Sequence, residues 1–295
     1  MSLIDSFIEY LKSERNKSER TQVLYRTALE DFKAFYEGLN EGLGWESMTS
    51  DVVREWVVYL LDGKHQSNAT VNLNLSALRT FYHYLKLVGV VTHNPMQRVV
   101  GPKKSKVLPV FVKEKDMDRL LDEAEFPDTY KGVLDRTIIQ TFYLTGMRRA
   151  ELLGLEDRDV DFVNRQIKVT GKRNKQRVIP FGDELEAALK EYLTKRNETF
   201  PEGAGKLFVS SRGKALAPSV VTKIVKDNLS RVTSVKKRSP HVLRHSFATV
   251  MLNNKADLVS IQKLLGHANL HTTEVYTHVS FEELKDAYKN AHPRS

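Results

Sequence analysis

The sequence predicts a mainly α protein of two domains, an all-α four-helix bundle and then a mixed α/β unit, mostly helix with a small antiparallel sheet. Three observations predict it. Before Asn94-Pro95, four segments carry apolar residues at helical spacing and none alternates convincingly. A stretch bearing Pro and Lys follows. Beyond it, alternating segments on either side of Gly171 interrupt a run of helical ones. The 295 residues suffice for two cores. We place the domains at 1–95 and 113–295, joined by a basic linker at 96–112.

Leu3, Ile4, Phe7, Ile8 and Leu11 form the first helical stripe. Ser18 precedes a second helix with Leu24, Ala28, Phe32 and Phe35. Ser50 or Asp51 can cap a third containing Val53, Trp56 and Leu60, and Ser67 or Asn68 opens a fourth through Leu78, Phe81 and Leu85. In the linker, Pro102, Pro109 and the lysines favour extended chain, lying along a phosphate backbone or simply solvated. Helices are then expected at 113–125, 130–145 and 148–154. Residues 159–162, 166–170 and 176–181 read as strands, which puts Lys172 at a hairpin tip. Helical segments return at 183–197, 217–230, 240–253, 258–265 and 281–291.

Composition narrows the partner. Net charge is +9, which favours a polyanion, although many basic proteins bind no nucleic acid. Residues 1–100 hold 11 Lys+Arg against 12 Asp+Glu, residues 101–113 four lysines and no acid, and residues 114–295 31 basic against 25 acidic. The excess sits in the linker and C-terminal part. No cysteine is present, so disulfides, thiolate chemistry and Cys-ligated zinc are excluded. The N-terminus has no apolar core of a signal peptide and no stretch approaches a membrane span, so a cytoplasmic location is expected.

Six residues could together cut a phosphodiester without a metal: Arg148, Lys172, His241, Arg244, His267 and Tyr276. A phenol titrates near pH 10, so Tyr276 needs a base or nearby cations to attack. His241 and Arg244 are three apart in a helix opened by Pro240 and share one face. A guanidinium fork suits two phosphate oxygens. Arg148 follows Thr145-Gly146-Met147 near a helix start, with Arg149 the competing candidate. Lys172, crowded by Arg173, Lys175 and Arg177, can protonate a leaving 5′-oxygen or only touch backbone. His267 follows a helix ended by Gly266 and can bond phosphate or serve as a plain helix cap. Each element alone reads as ordinary surface or packing. His241 and His245 also have the i, i+4 spacing of zinc ligands, but Val242 stands where that motif has Glu, and Arg244 would repel a cation.

Taken jointly, TGMRRAELLGL, VTGKRNKQRVIPFG, SPHVLRHSFAT and IQKLLGHANLHTTEVYTHV resemble the tyrosine recombinases of the phage integrase family, particularly the bacterial Xer type. The resemblance covers nearly the whole chain. Thr21–Tyr25 and Leu75–Tyr82 look like the family's SAM-like core-binding domain, and 291–294 like the Xer ending. In one departure, Asn72 and Asn74 stand where relatives often place Arg or Lys, which withdraws one expected phosphate contact.

The resemblance implies a C-shaped clamp around duplex DNA at a recombination site. It implies a Tyr276 nucleophile forming a 3′-phosphotyrosine, and Arg148 and Arg244 stabilising the phosphorane. Lys172 is then the general acid, His241 the general base and His267 a phosphate hydrogen-bond partner. No cofactor is expected. Lys103, Lys104, Lys106, Arg173, Lys175 and Arg79 are candidate DNA contacts. Four protomers, identical or paired with a paralogue, would hold two duplexes through a Holliday junction, with the segment after Tyr276 docking on a neighbouring protomer or packing on its own domain. Chromosome-dimer resolution alongside a DNA translocase is the implied role. Integration or transposition of a mobile element, type IB topoisomerase-like activity and DNA binding without cleavage are the alternatives.

Overall fold

The computed structural model describes residues 1–40, 42–103, 110–171, 174–201, 205–266 and 280–295. The chain forms two compact units, Met1–Val107 and Leu108–Ser295. Among the described residues no helix is long and apolar enough to cross a membrane.

The N-terminal unit is built from α1 (Leu3–Ser13), α2 (Glu19–Leu39), α3 (Ser50–Val58, continued by a π turn at Tyr59–Gly63) and α4 (Asn68–Leu87). Each starts where a hydroxyl can accept a free N–H of the first turn: Ser2, Ser18, Thr49 and Ser67. The cap of α3 is therefore Thr49, one residue before the nearer of the two caps, Ser50 or Asp51, expected from sequence. The apolar stripes meet in an aromatic core, with Phe32 edge-on to Trp56 and Trp45 edge-on to Phe81.

The first part of the expected extended linker is folded onto this unit. Pro95–Arg98 form a 3-10 turn capped by Asn94, and Val99 is buried. Ser50 Oγ donates to Pro95 O (2.7 Å), Arg79 Nη2 to Val99 O (3.0 Å), Asn72 Nδ2 to Pro102 O (2.8 Å) and Asn68 Nδ2 to Lys103 O (3.0 Å). Prolines give up one donor each, but their carbonyls remain: the Ser50 hydroxyl of α3 satisfies that of Pro95 and the Asn72 amide of α4 that of Pro102. The Asn72 amide thus holds the chain at Pro102.

The C-terminal unit is centred on α6 (Tyr130–Thr145), a helix buried on nearly all sides, with Asp135, Thr137, Gln140, Thr141 and Thr145 buried among its apolar residues. It is preceded by α5 (Glu114–Asp118, with a π turn at Arg119–Glu123) and followed by α7 (Arg149–Gly154). Strands β1 (Val160–Asp161), β2 (Gln166–Thr170) and β3 (Gln176–Pro180) make an antiparallel sheet in that order, with Val169 opposite Arg177 and Thr170 opposite Gln176. Helices α8 (Asp183–Thr199), α9 (Pro218–Leu229), α10 (Pro240–Asn253), α11 (Leu258–Leu265) and α12 (Phe281–Ala291) complete the unit.

The described part of the C-terminal tail, read from sequence either as docking on a neighbouring protomer or as packing on its own domain, packs on its own unit in the single chain. Tyr288, Ala291 and His292 are buried, and Asn254 Nδ2 donates to Ala291 O (2.9 Å). Arg294 pairs with Glu184, Asp118 and Asp122. An apolar stripe followed by one cation finds a matching apolar and acidic socket in cis. His292 stacks on Phe247 and Tyr288 and meets Tyr143 edge-on.

Two stability predictions follow from this packing. Gly146 ends α6 at φ 59°, and a Cβ there would lie 2.5 Å from Phe247 and 2.8 Å from Leu265. Gly146→Ala should destabilise the C-terminal unit by about 2 kcal/mol or more in urea unfolding followed by circular dichroism. A change too small to resolve would show that the backbone relaxes freely there. Burial pushes the His292 imidazole down to about 4, so the folded chain resists a proton that the unfolded chain accepts near the usual 6.5. Stability should be full above pH 6.5 and fall as pH drops towards 4, by at most about 3 kcal/mol from this group. His292→Phe should lose that part of the acid limb, and an unchanged limb would refute the assignment.

Candidate active site

Two helices end at the same place. α6 stops at Gly146 and α11 at Gly266, both left-handed (φ 59° and 64°), which leaves the last carbonyls without helical partners. Arg244, on α10, spans both ends: Nη1 donates to Gly146 O (2.8 Å) and Nη2 to Leu265 O (2.6 Å). Arg148 Nη2 donates to Gly266 O (2.6 Å), the residue adjoining Leu265. The two guanidiniums therefore lie side by side, attracted by the negative ends of two helix dipoles.

A buried carboxylate sets the geometry. Arg148 is the extended N-cap of α7, and Glu151 is its third residue. Glu151 is 3% exposed and accepts from Arg148 N (2.7 Å) and Arg148 Nη1 (2.7 Å). Arg177 of β3 grips both of its oxygens, Nη1 at 2.7 Å and Nη2 at 2.9 Å, while Arg177 Nε donates to Leu264 O (2.6 Å). Burial alone would push the Glu151 carboxyl up. The bonds from Arg177 and Arg148 outweigh it and hold the pKa below the usual range. Gly171, at the end of β2, brings the hairpin base against the same group, since a Cβ there would sit 3.2 Å from Glu151 Oε1.

Arg244 is 9% exposed, and burial, then the charges of Arg148 and Arg177, push it down to about 10, so it remains a cation at neutral pH. His241 is one turn before Arg244 on α10 and exposed. Partial desolvation, then Arg149, Arg244, Lys237 and His245, lower its pKa and keep the imidazole neutral at pH 7. A site with two adjacent guanidiniums and a neutral imidazole beside them can bind a phosphate diester and accept a proton.

Of the two competing arginines, Arg148 joins this cluster, and Arg149 turns to α9, donating to Thr222 Oγ1 (2.6 Å). Lys172, His267 and Tyr276 lie outside the described residues, as do Lys104, Lys106 and Arg173. Their flanks are defined: Gly171 N donates to Lys175 O (2.8 Å), and Gly266 ends α11 within the cluster. Lys103 and Lys175 are exposed, and Arg79 is exposed with one nitrogen held by Val99 O. Arg177, counted from sequence among the cations near Lys172, is itself bonded to Glu151. Among the described residues no group of His, Asp or Glu is arranged to hold a metal. Sequence reading passed over Glu151, although its place three residues after Arg148 is the third position of a helix cap, where an acid reaches back to the cap N–H.

The Phage integrase family matches residues 110–283, and the Phage integrase, N-terminal SAM-like domain, matches residues 4–89. The tyrosine recombinase XerC of Chlorobaculum tepidum is 36% identical over 321 residues, covering 99% of this chain and 94% of the relative. The tyrosine recombinase XerC of Staphylococcus aureus is 38% identical over 291 residues, covering 99% and 96%. The XerH site-specific recombinase, solved bound to difH substrate in a pre-cleavage complex, superposes with a TM-score of 0.70 at 25% identity, covering 96% of this chain and 83% of that one. With both domains matched and relatives above 35% identity along its length, the chain belongs to the phage integrase family and is a site-specific tyrosine recombinase.

Proposed function

We propose that the chain cuts and rejoins duplex DNA at a recombination site through a 3′-phosphotyrosine and a Holliday junction, and that it resolves chromosome dimers. The observation that carries the chemistry is the pair of guanidiniums, Arg148 and Arg244, bonded to the carbonyls of successive residues Gly266 and Leu265. They are fixed before any phosphate arrives, so little reorganisation is needed as charge builds on the phosphorane. The Tyr276 oxygen attacks phosphorus and passes its proton to His241. The P–O5′ bond breaks, and Lys172 gives a proton to the departing 5′-oxygen. His267 hydrogen-bonds a phosphate oxygen. The partner duplex's 5′-hydroxyl then reverses the sequence. Lys103, Lys104, Lys106, Arg173, Lys175 and Arg79 contact the DNA backbone. Tetramer assembly, a paralogous partner, a DNA translocase and work in the cytoplasm on the chromosome come from the resemblance to Xer recombinases.

Trapping covalent protein–DNA adducts in cells under denaturing conditions, and sequencing the attached ends, tests this reading. Adducts should appear in wild type and vanish in Tyr276→Phe, which should still bind the mapped site. A single locus near the replication terminus supports dimer resolution. The boundary of a mobile element supports integration, and scattered adducts a topoisomerase. Adducts that persist in Tyr276→Phe would remove Tyr276 as nucleophile.

The neutral imidazole of His241 gives a second outcome. Single-turnover cleavage should be level at neutral pH and fall as pH drops below the usual imidazole range, where His241 gains its proton. In His241→Gln the rate should drop by about 10²-fold or more, and the acid limb attributable to His241 should disappear. The same limb in both proteins would assign the base elsewhere.

A further inference from the structure

We propose that Arg177 is a positioning residue for the reaction: it orients the Glu151 carboxylate, and through it Arg148, towards the scissile phosphate. This rests on the phosphate-binding role given to Arg148 above.

Arg177 differs from Arg148 and Arg244 in giving both terminal nitrogens to one carboxylate and its Nε to a carbonyl. Its side chain is 14% exposed, and all three of its nitrogens are engaged, two on Glu151 and one on Leu264 O. Glu151 Oε1 is shared, with Arg148 Nη1 and Arg177 Nη1 each at 2.7 Å. Because Arg177 occupies both oxygens, Arg148 is limited to a single side-chain bond on that carboxylate. Its other terminal nitrogen goes to Gly266 O, beside Arg244. Without Arg177, a buried carboxylate with one guanidinium left would either draw Arg148 into a two-pronged pair or take up a proton. Both outcomes move the Arg148 fork away from its place beside Arg244. Lysine cannot substitute, since one ammonium cannot span two carboxylate oxygens and the Leu264 carbonyl.

Arg177 also joins three separate elements. It lies on β3 opposite Val169, holds an α7 residue, and closes the end of α11. The charges facing Glu151 are Arg148 from α7, Arg177 from β3 and, less directly, Arg244 from α10. Arg177 therefore contributes to the positive field at Arg244.

The test uses the full-length chain and a nicked suicide duplex carrying the sequence to which wild-type adducts map. Binding and single-turnover cleavage are measured from pH 6 to 9 for wild type, Arg177→Lys, Arg177→Gln, Glu151→Gln and the double variant. At pH 7, Arg177→Gln should cleave about 10- to 100-fold more slowly, with Kd within about threefold of wild type. Its rate should recover as pH rises and Glu151 loses its proton. Arg177→Lys should not restore the wild-type rate. In a Glu151→Gln background, adding Arg177→Gln should cost little more and show no alkaline recovery. The double variant, which removes both buried charges together, carries the test if Arg177→Gln alone fails to fold. Wild-type cleavage by Arg177→Gln overturns the proposal, and so does a loss that is additive with Glu151→Gln and insensitive to pH. Both leave the Tyr276 reading standing. No adduct from the wild type overturns that reading and this proposal with it.

Discussion

The site depends on one buried negative charge. The Glu151 carboxylate is almost wholly removed from water, a placement that costs several kcal/mol for an unpaired ion. Two arginines and a backbone N–H offset that cost with four short bonds. The arrangement serves cations that would otherwise repel one another. Arg148, Arg177 and Arg244 are close enough that the first two depress the third, and Glu151 opposes the effect. Take away the carboxylate and the cluster is three like charges held only by carbonyl dipoles.

Those carbonyls are the second support. Gly146 and Gly266 let two helices stop abruptly, so their terminal oxygens point at guanidiniums instead of continuing a helical ladder. Packing enforces the stops. Phe247 and Leu265 crowd the space where a Gly146 side chain would be, and Arg177 crowds that of Gly266. The glycines, the α10 core and the arginines are thus parts of one constraint. Phosphate-binding groups arranged by the protein's own acceptors are in place before substrate, which is the condition under which electrostatic stabilisation is most effective.

Much of this was legible in the chain. Helical stripes marked α1, α2 and α4, with Ser18 and Ser67 ahead of the last two, and residues 130–145 read as helix, because these signals are local. Arg148, His241 and Arg244 were legible only jointly, through order and neighbouring sequence. The Glu151–Arg177 pair was not, since 26 residues and a sheet register separate its members. The folding of 95–103 onto α4 escaped for a similar reason. Pro and Lys composition signals extended chain, while Asn72, Asn68 and Arg79 act on it from 20 to 35 residues away. The tail was ambiguous in principle, because an amphipathic helix carries no mark of whose groove it fills, and the Arg294 socket is assembled from α5, its π turn and α8.

The anchoring of the linker has a consequence for affinity. The N-terminal unit holds the chain as far as Pro102 and Lys103, and the C-terminal unit takes it up again at Val112, whose N–H donates to Ser246 Oγ (2.8 Å). Nine residues lie between Pro102 and Val112, a contour of at most roughly 35 Å. Once one unit engages a duplex, so short a tether keeps the other at an effective concentration of about millimolar. Under that condition the N-terminal unit can bind weakly on its own and still add to avidity. By holding Pro102, the Asn72 amide shortens the free tether and so raises that effective concentration.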